Sequence, residues 1–383
     1  MCGELDLGRV DKSVRGLFLD TEHMSTWGGT PIRDPHEENL YHLFAEYIVR
    51  HCPLDNWVNN SQLVHAVARS PLGPFEVKSV AFQPFRHNVG AALLPNGTWL
   101  MFQTGCDVWS DTLVNCTAGD NGVTDPITGE SAQRPPMPPG CTGEIPPPPW
   151  TAKTYAKFSL DGRIRLAHAS SPDGPWTSQP LPVLQPQPGD SWDAFTTNAA
   201  PALADDGSLL LVYRGSNVSA DAAIGLTRAT SWEGPYERLN GGRPLFTDHS
   251  EDPFIYKGRR GFHIVMHHMP PNEKRPASFP YNETAWDCGL GNNACIGHAF
   301  AEHYEGPWFY SPVPAATPDV DWTDGSRERL SRRERPQVLT NSEGDVEVLY
   351  NGVCCREGPG HPRPQDTYTL AVPTAAHKGS YGL

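Results

Sequence analysis

Short apolar runs, each stopped by a cluster of Gly, Pro, Asn or Asp, make up most of the chain. Leu209-Leu210-Leu211-Val212-Tyr213 follows Ala204-Asp205-Asp206-Gly207-Ser208, and Val346-Glu347-Val348-Leu349-Tyr350 follows Asn341-Ser342-Glu343-Gly344-Asp345. Leu94-Pro95-Asn96-Gly97-Thr98-Trp99 and Lys257-Gly258-Arg259-Arg260-Gly261 have the same form. Asn-Gly and Asp-Gly between apolar runs signal tight hairpins. The pattern predicts many short antiparallel strands and no long helices.

The strands recur in a fixed order. Ala66-Val67-Ala68-Arg69-Ser70-Pro71-Leu72-Gly73-Pro74-Phe75 is matched by the segments ending in Gly174-Pro175-Trp176, Gly234-Pro235-Tyr236 and Gly306-Pro307-Trp308. Each is a short strand, a polar turn, Gly-Pro and an aromatic. Gly permits the turn, Pro ends the ladder and the aromatic caps the next strand. The glycines lie 101, 60 and 72 residues apart. The first gap becomes regular if the Pro/Gly/Cys-rich stretch at about 104–150 is an insertion. A polar motif stands upstream of each unit: Ile32-Arg33-Asp34-Pro35, Arg86-His87-Asn88-Val89, Thr197-Asn198-Ala199-Ala200-Pro201, Ser250-Glu251-Asp252-Pro253 and Arg333-Glu334-Arg335-Pro336. Five repeats of about 60 residues, all β, predict a five-bladed β-propeller over 1–383 as one domain. A solenoid is the alternative. The last unit lacks Gly-Pro-aromatic, so Tyr368–Val372 or a strand from the N-terminus is expected to complete it.

Composition narrows the partners. The chain has 36 Gly and 39 Pro, which suits turn-rich β structure, and its 11 Trp and 12 Tyr are more than a core requires. A net charge of -14 excludes polyanion binding without a basic patch, and the run around Arg327–Arg335 is interrupted by Glu328 and Glu334. Nucleic acid and membrane are therefore not expected partners; a carbohydrate and a monomeric state are. No basic-then-apolar leader opens the sequence. The nine Cys lack zinc-type spacing and lie in loop-like stretches. Five Asn-x-Ser/Thr sequons begin at Asn59, Asn96, Asn115, Asn217 and Asn282. Together they favour disulfide staples, glycosylation and a secreted, extracellular protein.

In a propeller the inner strands start near the axis, so the five upstream motifs are expected to converge on one mouth. They resemble those of the five-bladed propeller glycoside hydrolases, above all family 43 and its clan of arabinofuranosidases, arabinanases and xylosidases. Glu251-Asp252-Pro253-Phe254-Ile255-Tyr256 is similar to the strand that carries the general acid there, with Asp252 in place of a Gly. Asp34-Pro35 stands at the position that the resemblance gives to the base. The third acid of that family is replaced by Asn198, with Asp193 just upstream as a stand-in and Glu334 as a substitute acid.

The resemblance thus implies hydrolysis of a polysaccharide or oligosaccharide, pentose-type glycosides favoured, with inversion. Glu251 would be the acid and a carboxylate across the channel the base. Asp34 and Asp252 also read as caps of strand starts. No cofactor is required, and a structural calcium in the central channel, with His87 as its candidate ligand, is compatible with the family. Sugar contacts are expected from Trp27, His87, Asn88, Asn198, Arg214, His267, His268, Arg335 and Asn351. The alternative is a non-catalytic carbohydrate-binding propeller using the same pocket; a fructan-cleaving or phosphorolytic variant is a third reading.

Overall fold

A computed structural model describes residues 5–12, 25–50, 52, 54–105, 163–185, 191–217, 222–246, 250–269, 288, 295–356 and 367–377. Most of the 104–150 insertion, and the sequons at Asn115 and Asn282, fall outside these residues.

Five four-stranded antiparallel sheets form a ring, the five-bladed β-propeller that the repeats predict. Blade 1 is β1 (Ser25–Arg33), β2 (Tyr41–Ile48), β3 (Ser61–Ala68) and β4 (Glu76–Phe82). Blade 2 is β5 (His87–Leu93), β6 (Trp99–Thr104), β7 (Ile164–Ala169) and β8 (Thr177–Ser178). Blade 3 is β9 (Phe195–Leu203), β10 (Leu209–Ser216), β11 (Ala223–Ala229) and β12 (Glu237–Arg238). Blade 4 is β13 (Ser250–Gly258), β14 (Gly261–His268), β15 (Cys295–Ala301) and β16 (Phe309–Tyr310). Blade 5 is β17 (Asp319–Asp321), β18 (Arg327–Thr340), β19 (Val346–Arg356) and β20 (Thr367–Pro373). Each Gly-Pro-aromatic segment joins a third strand to a fourth. The predicted hairpin turns join first strands to second, with Gly97, Gly207 and Gly344 at positive φ.

Of the two expected pieces, Tyr368–Val372 completes blade 5 as its fourth strand, β20. The N-terminal segment runs beside it, with a bridge from Leu7 to Thr374 and Gly8 N–H donating to Pro373 O. Cys288 and Cys295 lie at disulfide distance, 2.08 Å.

The core is divided between neighbouring blades. Leu43, Ala45, Val64 and Ala66 of blade 1 pack with Val348 and Tyr350 of blade 5, and Phe44, Leu63, Val89 and Met101 fill the space between blades 1 and 2. At the axis the inner strands approach so closely that a Cβ on Gly90 would stand 2.2 Å from Ala199 O. Only Gly fits there.

Candidate active site

The same irregularity occurs in all five inner strands. Two residues of the first strand oppose one of the second at Gly28-Gly29, Asn88-Val89, Asn198-Ala199, Asp252-Pro253 and Arg335-Pro336. The first residue of each pair is left-handed, with φ of 62°, 59°, 53°, 51° and 50° in blade order. Such bulges re-aim side chains. Gly, Asn and Asp tolerate this conformation best, which is why they fill four of the five positions.

The bulge residues build a floor across the axis. Arg335, buried at 4% exposure, is its hub. Its Nη2 donates to Glu46 Oε1 at 3.0 Å and to Val89 O at 3.3 Å, and its Nη1 donates to Asp252 Oδ1 at 3.3 Å and to Asn88 Oδ1. Asn88 Nδ2 donates to Asn198 Oδ1 at 2.6 Å, and Asn198 Nδ2 to Asp252 Oδ1. One guanidinium thus ties blade 5 directly to blades 1, 2 and 4, and to blade 3 through Asn198. Burial pushes Glu46 and Asp252 up, and Arg335 pulls both back.

This arrangement bears on the calcium that the family resemblance allows. The oxygens of the axis already hold a cation, Arg335. His87 is engaged through one nitrogen and its ring face: its Nδ1 lies 2.8 Å from Ser61 Oγ and its ring stacks on Trp57 at 4.8 Å. Burial, and after it Arg335, hold the His87 imidazole well below its ordinary range. The floor does not fit a calcium ion. One donor atom from each of Glu251, Asp252, His267 and Glu334 lies within 4.8 Å of the others, so these four are the described group able to hold a metal.

The residue just before each bulge residue faces the mouth: Trp27, His87, Thr197, Glu251 and Glu334. With Arg214, Arg332, Leu54 and Trp57 they line a cavity of about 370 Å³ above the floor. Its two sides differ. Blade 1 supplies Trp27, Leu54 and Trp57, whereas blades 3 to 5 supply the charges. Glu251 is 3.5 Å from Arg214 Nε and 3.3 Å from His267 Nδ1. Burial opposes a charge on His267, but Glu334, Glu251 and Asp252 together push it up to about 9. Burial raises Glu334 to about 7, with His267 acting against it. One carboxyl able to give a proton near neutrality thus stands beside one facing two cationic groups.

Most sequence candidates converge here: Trp27, His87, Asn88, Asn198, Arg214, Glu251, Asp252, Glu334 and Arg335 all line this cavity, with His267 behind Glu251. Four do not. Asp34 lies beyond the far end of β1, about 20 Å from the mouth at the usual rise per residue. There it takes the backbone N–H groups of His36 and Glu37, both at 2.7 Å. Blade 1 presents Trp27-Gly28 where blade 4 presents Glu251-Asp252, so the Arg-Asp-Pro motif is a turn cap and not the blade-1 counterpart of Glu251. Asp193 is fully buried outside the cavity, accepting from Tyr213 Oη at 2.9 Å, Arg238 Nε at 2.6 Å and Ser191 Oγ at 2.6 Å. His268 turns to Tyr310 Oη at 3.2 Å. Asn351 acts from behind, accepting from Arg333 Nε at 3.0 Å and donating to Glu334 O at 3.2 Å.

Glu46, Trp57, Thr104, Thr197 and Arg332 were not expected. Glu46 left a trace, as the lone acid inside the apolar run Tyr41–Ile48. Trp57 comes from a short helix (Trp57–Asn60) between β2 and β3, outside the repeat.

Comparison by sequence finds no matching family model and no matching curated relative. Comparison of structures finds propeller glycoside hydrolases. An α-L-arabinofuranosidase from Podospora anserina, solved with cellotriose, superposes at a TM-score of 0.54 with 11% identity, over 97% of this chain and 93% of that one. A family 117 glycoside hydrolase from the marine bacterium Zobellia galactanivorans gives 0.53, 14% identity and coverage of 96% and 89%. A thermostable family-43 glycoside hydrolase gives 0.51, 13% identity and coverage of 91% and 89%. At such identities the likeness is one of fold: this chain is a five-bladed β-propeller resembling those of the family 43 and 117 glycoside hydrolases.

Proposed function

We propose that the protein is a secreted glycoside hydrolase that cleaves an oligosaccharide or polysaccharide, pentose-type glycosides favoured, at the cavity above the Arg335 floor. The observation that carries this reading is the pair Glu251 and Glu334, with an oxygen of each within 4.8 Å of the other. Glu334, raised to about 7, donates a proton to the glycosidic oxygen as the bond to the anomeric carbon breaks. Glu251 attacks that carbon as a carboxylate, giving a glycosyl ester. Glu334, now ionised, takes a proton from water, which displaces Glu251 and releases the sugar.

This assignment exchanges the roles expected from the sequence, where Glu251 was the acid and inversion the outcome. Inversion needs room for a water, with carboxyls roughly 6.5–9.5 Å apart, whereas retention uses about 5–5.5 Å. The nearest oxygens, within 4.8 Å of one another, are compatible with the shorter separation. The support for retention is the opposite wall, where Trp27, His87 and Thr197 provide no carboxylate among the described residues. That same wall favours the second reading, a propeller that binds sugar without cleaving it.

The test is release of sugar from an aryl-glycoside and polysaccharide panel by wild type, Glu251→Gln and Glu334→Gln. Anomeric configuration is read by NMR and binding is measured in parallel. Turnover with retention, lost by orders of magnitude in both variants while binding persists, supports the pair. Binding without turnover in all three proteins supports the second reading.

A further inference from the structure

Asp34, displaced from the mouth, belongs to another constellation. Its Oδ2 lies 2.9 Å from His42 Nε2; His42 Nδ1 lies 2.9 Å from His65 Nε2; and His65 Nδ1 lies 2.7 Å from Asp173 Oδ1. Three of these groups are on blade 1. The fourth, Asp173, sits in the turn after β7 of blade 2, so the chain of bonds crosses the gap between blades.

The bonds fix a proton count. An ionised carboxylate only accepts, so both outer nitrogens, His42 Nε2 and His65 Nδ1, carry hydrogens. A neutral imidazole carries one hydrogen. Two neutral rings would therefore confront each other lone pair to lone pair across 2.9 Å. A third proton between the inner nitrogens closes every bond.

Blade 4 provides an internal control. His263 and His298 occupy the same places on its second and third strands, with Nδ1 and Nε2 also 2.9 Å apart. No carboxylate is bonded to their outer nitrogens among the described residues, so two neutral rings suffice. Burial holds them at about 4 and about 3.

We propose that Asp34, His42, His65 and Asp173 form a proton-operated latch between blades 1 and 2, which holds one proton beyond two neutral imidazoles and loosens when that proton leaves. The surroundings are consistent with this. Phe44 stacks with His65, and Trp99 meets His42 edge-on. Lys78 is the other charge acting on His65, and it is paired with Glu76 at 2.7 Å. Ser79 Oγ donates to Asp173 Oδ1 at 3.0 Å. Burial outweighs Asp173 and lowers His65 taken as a single ring, so the shared proton rests on the bond geometry of the pair and not on either ring alone. Burial would raise both aspartates, but the histidines bring them below the ordinary carboxylate range. The folded chain binds the extra proton, so the latch contributes below about pH 6.5 and is lost as the pH rises through the value of the folded pair. Acid ends it at the other side, once the lowered aspartates protonate.

The test uses the whole protein. Imidazole 15N shifts of His42 and His65, assigned with His42→Gln and His65→Gln, are followed from pH 5 to 8, and melting of wild type, Asp173→Asn and His263→Gln is followed over the same range. The expected result is one imidazolium shared by His42 and His65 at pH 6.5, with His263 and His298 neutral. Between pH 5.5 and 8 wild type and His263→Gln should lose about 1 °C more than Asp173→Asn does, the scale expected of a half-exposed ion pair in a domain of this size. Two neutral rings at pH 6, or the same pH profile in Asp173→Asn as in wild type, would overturn the latch. If Asp173→Asn does not fold, the wild-type shifts decide alone. Neither readout involves catalysis, so failure here leaves the glycosidase reading untouched, and the reverse also holds.

Discussion

Replacing Glu334 by Gln removes two things at once: the proton that the proposed reaction donates, and a carboxyl group that the fold accommodates poorly as an anion. The folded protein raises Glu334 from an ordinary 4.5 to about 7. The unfolded chain therefore ionises first, and the fold weakens as the pH climbs from 4.5 through 7. At about 1.4 kcal/mol per pH unit the effect is at most about 3 kcal/mol. Glu334 keeps part of its surface in the cavity, and solvent screening reduces this to ~1–2 kcal/mol. At pH 4 the wild-type group is protonated in the folded chain and largely so in the unfolded one, neutral like Gln, so the two proteins should melt nearly alike. At pH 8 the variant should melt ~1–3 °C higher. Loss of a general acid lowers kcat/KM by ~10²–10⁴, equivalent to ~3–5 kcal/mol of barrier. Aryl-glycoside turnover and scanning calorimetry at both pH values measure the two effects. A variant that turns over at the wild-type rate, or melts below wild type at pH 8, would refute the reasoning.

Two further substitutions test the frame. Arg335→Met leaves Glu46 and Asp252 buried without their guanidinium, and should lower stability in urea by about 3–5 kcal/mol. Asp193→Ala should cost about as much, because Arg238 and Tyr213 lose a fully buried partner, while kcat and KM per folded molecule stay unchanged. A fall in kcat would return Asp193 to the site.

The propeller was legible because its punctuation is chemical. Gly-Pro-aromatic segments and Gly-containing turns are set by local backbone needs, and these repeat wherever the blade repeats. Three of the five mouth positions were legible for the same reason: the slots at Asn88, Asn198 and Asp252 require a left-handed residue and carry one that tolerates it. Arg335 is not such a residue, and was found from its Glu-Arg-Pro context instead. Blade 1 misled because its bulge is supplied by Gly28, which brings no Pro and no acid. The nearby Arg-Asp-Pro imitated the others while serving as a turn cap. Glu46, Thr104 and Arg332 escaped notice, although Glu46 and Thr104 lie opposite the mouth residues, paired with Trp27 and His87. Cross-strand pairing depends on register, and register appears only once the bulges are placed.

The same pairing sets Glu251 against His267 and Thr197 against Arg214, which makes His267 a natural control on the acid beside it. His267 holds Glu334 below the value that burial alone would impose. His267→Gln removes that charge, so Glu334 should stay protonated to higher pH and the basic limb of the activity profile should move above about 7. The stability effect has the opposite tendency. A histidine raised to about 9 in the folded state contributes fully below its ordinary 6.5 and loses that contribution as the pH rises to about 9. His267→Gln should therefore be destabilised at pH 6 and nearly level with wild type at pH 10, where only the neutral ring would be lost. A merely structural His267 would lower yield and melting temperature without moving the basic limb. A limb that stays near 7 in the variant would mean that Glu334 does not titrate in the reaction, and the acid would have to be sought at Glu251.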